Sequence, residues 1–352
     1  MERYADALAS ELKIQNKKLK VKEFGFSVPS PLFSGRRKFF WRLGVYPFLA
    51  QCAQGDINHI IDHSYARAIK YLDPKKTVIT CHDLIPLSFE KDSQAMAIFK
   101  ETISYLPRAQ KIIAVSEATK KDLVEKLGVD PRKVVVVYEG VEKKFKVSAK
   151  KAGRLHSRSK EKQNAKFQIP KEKKVILHVG NSLEYKNIEG LLEAFAKVRE
   201  QEKDVILVKV GRFTESQLDL IAKLKLRSEV EIFTRPCLSE EDLVAMYNLA
   251  TVTCIPSHQE GFGFPVLESL ACGTPVVCSN TSSLSEVGGK AAIYCDPKDP
   301  ADIALKILTV LHSNYSNSGS VIREGIMQAK KFTWKKCAEE TLGVYKQVAS
   351  VV

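Results

Sequence analysis

The sequence predicts an α/β protein with two Rossmann-like domains that face each other across a cleft. Short runs of β-branched residues alternate with amphipathic helical segments in both halves of the chain, which is typical of parallel sheets. A polar, basic stretch separates the two series, as an exposed connection would. We therefore expect a first domain at 1–145, a linker at 146–172, a second domain at 173–330 and a terminal helix at 331–352.

The first series predicts five strands and a well-delimited helix. The strands are expected at 19–26, 57–62, 77–81, 111–115 and 133–138. Between the last two, Ser116 is a suitable helix N-cap, and Gly128 is a suitable residue to end the helix.

The second series predicts another parallel sheet. Its strands are expected at 174–179, 205–210, 229–233, 250–255 and 274–279. Asn187 is expected to cap the helix after the first of them. In such sheets, ligands bind outside the carboxyl ends of the strands.

The first domain lacks the usual first strand and glycine-rich turn, because an amphipathic helix with Tyr4, Leu8 and Leu12 on its apolar face comes first. That strand is normally central, so we expect its absence to leave a gap with unpaired backbone groups. Three explanations stay open: a truncated chain, an inward shift of the strand at 19–26, or a degenerate first domain.

The net positive charge is confined to the first half of the chain. The net charge is +14, and residues 1–170 alone contain 33 Lys and Arg against 18 Asp and Glu. This asymmetry indicates either an anionic partner or a solvated basic surface. Arg36, Arg37, Lys38 and Trp41 combine basic and aromatic side chains, which suits an anionic membrane interface; the alternative is that the aromatic groups are core.

No apolar run reaches the roughly 18 residues that span a bilayer, and the charged N-terminal segment is unlike a signal peptide. The eight cysteines form no CxxC pair, so we interpret them as small core residues in a reducing cytoplasm. We expect a cytoplasmic protein, with peripheral attachment to the inner face of the membrane as a further hypothesis.

The segment 257–268 carries the densest chemical signal. Gly261 and Gly263 allow a close approach of the backbone to a ligand, and Pro265 suits the first turn of a helix. The helix N-terminus that follows favours an anion such as a diphosphate. Glu260 and Glu268, with seven residues between them, are suited to accept hydrogen bonds from sugar and ribose hydroxyls.

This pattern resembles the retaining glycosyltransferases of family 4, which have the GT-B fold and a signature of two glutamates around a G-F-G-x-P turn. The segment Ala271-Cys272-Gly273-Thr274-Pro275-Val276-Val277 is similar to the family as well, and so is the turn from Gly180 and Asn181 to Lys186. The segment 81–87, with His82, resembles a subgroup rich in mannosyltransferases. The family often carries a second basic residue where Asn181 and Tyr185 stand here.

The resemblance implies roles for these residues. Lys186 and the backbone amides of Gly261, Phe262, Gly263 and Phe264 would hold the diphosphate of a GDP- or UDP-linked sugar, with Gly180 and Asn181 beside them. Glu268 would accept from the ribose, Glu260 from the donor sugar, and His82 would contact the donor sugar or position the acceptor. As no DxD motif occurs, we expect no metal and no cofactor.

The expected function is therefore transfer of a hexose, mannose by the subgroup resemblance, to a glycan or lipid-linked acceptor. An inactive or truncated relative that binds a nucleotide-sugar is one alternative, and another GT-B enzyme such as a sugar-nucleotide epimerase is a second. A nucleic-acid binder is a third; we do not expect nucleic acid, because no aromatic platform or recognised module occurs.

Overall fold

The computed structural model describes residues 2–16, 19–24, 45–89, 93–148, 167, 169–170, 172–227, 231–312 and 319–351. The chain divides into two compact units. The first comprises Met1–Gly140 and Thr333–Val352, and the second comprises Val141–Phe332. Each unit contains one parallel sheet, which confirms the predicted α/β class.

The sheet of the first unit has four parallel strands in the order β1-β2-β3-β4. They are β1 (Asn58–Ile60), β2 (Thr77–Cys81), β3 (Lys111–Ala114) and β4 (Val134–Val136). All five residues of β2 are buried, because β2 has a neighbouring strand on each side and an apolar core around it. Four of the five strands predicted for this domain are thereby confirmed, three of them shorter than expected.

Five α-helices of the first unit precede β4 in the described part of the chain. They are α1 (Glu2–Gln15), α2 (Tyr46–Ala50), α3 (Pro86–Phe89), α4 (Gln94–Ile103) and α5 (Glu117–Leu127). The predicted ends of α5 are confirmed. The Ser116 hydroxyl accepts a hydrogen bond from the backbone N–H of Thr119 at 3.0 Å. Gly128 ends the helix in the left-handed conformation, with φ 63°.

The strand predicted at 19–26 is wrong in its described part, since residues 19–24 form no strand. Four of these six residues are exposed, so the segment lacks the buried face that a paired strand requires. The expected gap is wrong as well. The strands β1 to β4 are contiguous, and within the described residues β1 pairs with β2 alone, which makes it an edge strand.

The sheet of the second unit has six parallel strands in the order β10-β9-β8-β5-β6-β7. They are β5 (Lys174–Val179), β6 (Val205–Val210), β7 (Ile232–Arg235), β8 (Val252–Ile255), β9 (Val276–Ser279) and β10 (Ala292–Cys295). The sequence interpretation missed β10, whose run Ala-Ile-Tyr-Cys has one β-branched residue and three half-buried positions. The central strands β5 and β8 are buried along most of their length, as strands with a neighbour on each side are.

The helices of the second unit surround this sheet. They are α6 (Ile188–Gln201), α7 (Glu215–Lys223), α8 (Glu240–Leu249), α9 (Phe264–Ala271), α10 (Leu284–Gly288), α11 (Pro300–His312) and α12 (Gly319–Ala329). The apolar faces of α6 and α11 share one core with the strands, in which Leu192, Phe195 and Ile307 are fully buried.

The predicted last helix is α13 (Trp334–Ala349), and it belongs to the first unit. The Thr333 hydroxyl caps it by accepting from the backbone N–H of Lys336 at 3.1 Å. In the first unit α13 packs against α1. Gly140 contacts its start so closely that a Cβ atom there would lie 2.1 Å from the Trp334 nitrogen, so this junction needs a glycine.

All eight cysteines are free thiols. Six are buried, as the core interpretation requires, whereas Cys52 and Cys237 are exposed and contradict it. None of the described helices has the length and apolar character that crossing a membrane requires. The predicted membrane motif of Arg36, Arg37, Lys38 and Trp41 lies outside the described residues.

Candidate functional site

The segment predicted to bind an anion connects β8 to α9 in the second unit. Gly263 precedes the helix with φ 103°, and a Cβ atom there would lie 2.9 Å from a methyl group of Leu284, so the position requires glycine. Pro265 lies in the first turn, and no side chain of Gly263 caps the helix. Pro265 has no N–H, and the N–H groups of Val266 and Leu267 bond to the Gly263 carbonyl at 3.0 and 3.3 Å. The predicted anion site therefore depends on the helix dipole and on the amides of Gly261 to Phe264.

Two of the three charged residues that the sequence predicts for this site, Lys186 and Glu260, form a buried ion pair. The Lys186 ammonium lies 2.7 and 2.9 Å from the two carboxylate oxygens of Glu260. The Ser257 hydroxyl donates a third hydrogen bond to Glu260, at 2.8 Å. Lys186 and Glu260 are only 9% and 8% exposed. The carboxylate thus has a fixed orientation, and its negative charge compensates that of the lysine.

The loop around Glu260 is held by the residues that follow β9. The Glu260 backbone N–H donates to the Ser282 hydroxyl at 2.9 Å, and the Ser283 hydroxyl donates to the Glu260 carbonyl at 3.0 Å. Ser282 adopts a left-handed φ of 50°, which points to a constrained turn. Neither serine was singled out from the sequence.

The turn after β5 contains Gly180 and Asn181. The Asn181 side chain accepts a hydrogen bond from the backbone N–H of Leu183 at 3.2 Å, so it stabilises the turn that it belongs to. The carbonyl of Tyr185 accepts from the backbone N–H of His258 at 2.8 Å. This bond joins the turn after β5 to the loop after β8, which brings the predicted phosphate-binding segments together.

Asn187 begins α6, but its side chain does not cap the helix as predicted. Asn187 has a φ of 55°, and its amide nitrogen donates instead to the carbonyls of Pro256 and Pro297 at 3.0 and 2.6 Å. Asn187 thereby fixes the position of the adjacent Lys186. An asparagine before an apolar helical stripe is compatible with a helix cap and with this cross-link, so the sequence does not distinguish the two roles.

Glu268 is almost completely buried in α9, at 2% exposure. The Tyr247 hydroxyl of α8 donates to one of its carboxylate oxygens at 2.9 Å. The Thr274 hydroxyl in turn donates to the Tyr247 carbonyl at 2.6 Å. Sequence reasoning missed Tyr247, whose position within α8 gave no signal of a polar partner.

The remaining residues of the signature are placed by packing. Phe262 is buried, and its ring meets that of Phe264 edge-on, with 5.1 Å between the centroids. A second edge-on contact joins Phe262 to Phe332, at 6.0 Å. These contacts anchor the backbone of Gly261 to Phe264, whose amides the sequence predicts to hold a diphosphate.

His82 belongs to the first unit and follows β2. Its Nδ1 lies 3.2 Å from a carboxylate oxygen of Glu139, and its Nε2 lies 2.9 Å from the carbonyl of Ile61. Burial lowers the pKa of His82, but the hydrogen bond and charge of Glu139 and the Ile61 carbonyl outweigh it, so the pKa is raised. Both ring nitrogens are therefore engaged within the first unit, and the predicted role in sugar binding stays a prediction.

The described residues contain no group of three His, Cys, Asp or Glu side chains that could hold a metal ion. Lys186, which follows β5, and Glu260, which follows β8, pair with each other. What this arrangement offers chemically is a helix N-terminus for an anion, a lysine beside it and an oriented carboxylate for a hydroxyl group.

Two family models match the chain in succession. The model described as Glycosyltransferase Family 4 matches residues 2–145, and the model described as Glycosyl transferases group 1 matches residues 159–325. The first ends before the basic stretch and the second includes all of the signature from Lys186 to Glu268. The chain belongs to the GT-B glycosyltransferases of family 4, which have mannosyltransferase-like members.

Curated relatives support this assignment. The O-antigen chain mannosyltransferase B of Escherichia coli is 35% identical over 172 residues, which are 48% of this chain and 45% of that protein. The serotype-specific mannosyltransferase WbdA of Escherichia coli is 30% identical over 275 residues, which are 75% of this chain and 32% of that protein. The match thus spans less than half the length of either relative.

A solved structure shows the same fold. Alr3699/HepE of Anabaena, crystallised in complex with UDP and glucose, aligns with a TM-score of 0.70 at 17% sequence identity. The alignment covers 87% of this chain and 82% of that one. The likeness confirms the two Rossmann-like domains of the predicted GT-B class.

Proposed function

We propose that this protein is a retaining hexosyltransferase, which moves mannose from a nucleotide-sugar to a glycan or lipid-linked acceptor in polysaccharide or glycolipid synthesis. The observation that carries the proposal is the buried Lys186–Glu260 pair beside the N-terminus of α9. A helix N-terminus with an adjacent lysine favours a diphosphate, and a fixed carboxylate favours a sugar hydroxyl.

In the proposed complex the diphosphate accepts hydrogen bonds from the Lys186 ammonium and from the amides of Gly261 to Phe264. Both interactions strengthen as negative charge develops on the leaving phosphate oxygen. Glu260 keeps Ser257 as a donor, and its Oε2, which has Lys186 as its single hydrogen-bond donor among the described residues, accepts from a donor-sugar hydroxyl. The proposed partner of Glu268 is the ribose.

The reaction breaks the bond between the sugar C1 and the phosphate oxygen and forms a bond from C1 to the acceptor hydroxyl oxygen. The acceptor proton passes to the leaving phosphate oxygen, so the products are a glycoside of unchanged anomeric configuration and a nucleoside diphosphate. This proton path requires no dedicated basic side chain and no metal ion. It is consistent with a site whose lysine and carboxylate already neutralise each other.

The choice of mannose and of a polysaccharide acceptor is supported by two relatives that are described as mannosyltransferases, one of the O-antigen chain. The proposed donor is a sugar linked to GDP or to UDP. A structural neighbour of low sequence identity was crystallised with UDP, which bears on the fold alone.

The test offers the purified protein a panel of GDP- and UDP-sugars with mannose-containing acceptors, with and without EDTA. We expect transfer that survives chelation, with retention of configuration by proton NMR of the product. Glu260→Gln should lower turnover, whereas Glu193→Gln, an exposed carboxylate on α6, serves as the matched control. Absence of both transfer and donor hydrolysis would contradict the proposal, and a requirement for magnesium or manganese would contradict the metal-independent path.

A further inference from the structure

A second lysine lies at the same end of the sheet as Lys186. Lys209 is on β6 and is fully buried. Its ammonium donates to the carbonyl of Gly180 at 3.0 Å and to that of Arg212 at 3.1 Å, and it lies 5.4 Å from the centroid of the Phe213 ring. Within the described part of the chain no carboxylate pairs with it. Buried ammonium groups normally have such a partner, because desolvation of the charge is costly.

The side chains next to Lys209 among the described residues do not compensate its charge. His178 is its register partner on β5, so the two side chains lie next to each other on one face of the sheet. The Nδ1 of His178 is 2.9 Å from the Cys254 carbonyl, whereas its buried Nε2 has no hydrogen-bond partner among the described residues. Since Glu260 compensates Lys186, the charge of Lys209 is left over at this edge.

Lys209 also links the two turns that border the proposed diphosphate site. One turn follows β5 at Gly180, and the other follows β6 at Gly211 and Arg212. A Cβ atom on Gly211, whose φ is 126°, would lie 2.2 Å from the Gly180 carbonyl oxygen, so the turns touch. The Ser182 hydroxyl donates to the same Arg212 carbonyl as Lys209. The lysine is thus a cross-link between the turns as well as a charge.

We propose that Lys209 is a positioning residue for the donor diphosphate: it holds the turns after β5 and β6 together and supplies the second positive charge of the site. The inference rests on the proposed function and deepens it. Asn181 and Tyr185, which occupy the positions where the family often has a second basic residue, are uncharged. Lys209 provides that charge from the neighbouring strand, beneath Gly180.

The proposal has a titration consequence. Burial, and next the charge of Lys186, lower the pKa of Lys209 to about 8. A bound diphosphate has the opposite charge and raises that pKa, so Lys209 takes up a proton on binding near pH 8, whereas at pH 6.5 it is already protonated. Among the described residues, the titratable groups that act on Lys209 are Lys186, which pairs with Glu260, and the adjacent His178, whose pKa is about 3.

The experiment is calorimetric titration of the full chain with UDP and with GDP, in buffers of different ionisation enthalpy, at pH 6.5 and pH 8. For the nucleotide that binds, the wild type should take up roughly half a proton at pH 8. At pH 6.5 the terminal phosphate of the nucleotide also titrates, so there the wild type and Lys209→Met should exchange the same number of protons. Lys209→Met should bind it about tenfold more weakly, without uptake at pH 8, as expected from loss of a charge-assisted interaction. Its affinity for the matching nucleoside, without phosphates, should be unchanged.

Lys197→Met is the matched control, because Lys197 is an exposed lysine on α6 of the same unit. It should keep both the affinity and the proton uptake of the wild type. Binding of a nucleoside diphosphate by the wild type without proton uptake at pH 8 would overturn the inference, even if Lys209→Met does not fold. Wild-type affinity and uptake in Lys209→Met would overturn it too, and both results leave the proposed function standing. Failure of the wild type to bind either nucleotide overturns the proposed function and the inference together.

Discussion

The buried ion pair between Lys186 and Glu260 allows the effect of an uncompensated charge to be measured. Lys186→Met removes the ammonium and leaves Glu260 buried at 8% exposure, with the Ser257 hydroxyl as its remaining side-chain donor. Breaking a buried pair from one side typically costs about 3–5 kcal/mol. We therefore expect Lys186→Met to lower the free energy of unfolding of the second unit by about that amount.

The double variant Lys186→Met with Glu260→Gln decides whether charge is the cause. It removes both charges, so its loss of stability should be smaller than that of Lys186→Met alone, with a coupling of about 2 kcal/mol or more. Urea unfolding, monitored by hydrogen exchange of the backbone amides in β5 and α9, measures the stability of the second unit directly. Lys197→Met, which removes an exposed charge of α6, should change stability by less than about 0.5 kcal/mol.

Additive losses in the double variant would refute this reasoning. They would mean that the two side chains contribute independently and that their 2.7 and 2.9 Å contacts carry no electrostatic coupling. The same variants also separate stability from binding. A double variant of near-normal stability that no longer binds a nucleoside diphosphate would assign the pair to the ligand.

Three further outcomes are expected. Glu139→Gln should lower the pKa of His82, and an NMR titration of the ring that gives the same pKa in this variant contradicts the pairing. Because the pKa of His82 is raised in the folded state, the stabilisation by this pair is complete below about pH 6.5 and is lost as the pH rises through the folded-state pKa. Burial, opposed by a backbone hydrogen bond, lowers the pKa of His178 to about 3. The stabilisation of the folded state by neutral His178 is therefore complete above about pH 6.5, and the free energy of unfolding falls by about 2 kcal/mol by pH 5. His178→Gln should remove this acid sensitivity, measured by hydrogen exchange in β5. Tyr247→Phe removes a hydrogen bond to the Glu268 carboxylate and should cost about 1.5–3 kcal/mol in urea unfolding; wild-type stability in this variant would show that the bond contributes nothing.

Much of the fold follows from periodicity. The strands β2, β5 and β6 have the predicted bounds, because buried parallel strands are continuous apolar runs with polar residues at both ends. The run at 19–26 shows where this reasoning fails. Its alternation of apolar and charged residues is typical of a strand with one buried face, yet the described residues 19–24 meet no neighbouring strand. Pairing depends on a partner elsewhere in the chain, which local sequence does not reveal.

The signature residues could be located from the sequence because their spacing is local. A strand, a glycine turn and a helix with two glutamates occur within one short stretch, and the structure places Glu260 in the loop and Glu268 in the helix as predicted. Their partners come from distant segments. Tyr247 precedes Glu268 by 21 residues, and Lys186 precedes Glu260 by 74. Lys186 could be assigned a role because it belongs to a recognised motif, whereas Tyr247 belongs to no motif and could not.

Lys209 was missed for a different physical reason. In the run Val-Ile-Leu-Val-Lys-Val a lysine near the end of a strand is read as a polar boundary, since most such side chains extend into solvent. Its burial becomes visible only when β5 lies beside β6, so that the Gly180 carbonyl meets the ammonium. A buried lysine without a carboxylate costs stability, and the fold keeps it where two turns and a predicted diphosphate meet. In the proposed complex, an anion bound there supplies the negative charge that no described residue provides to Lys209.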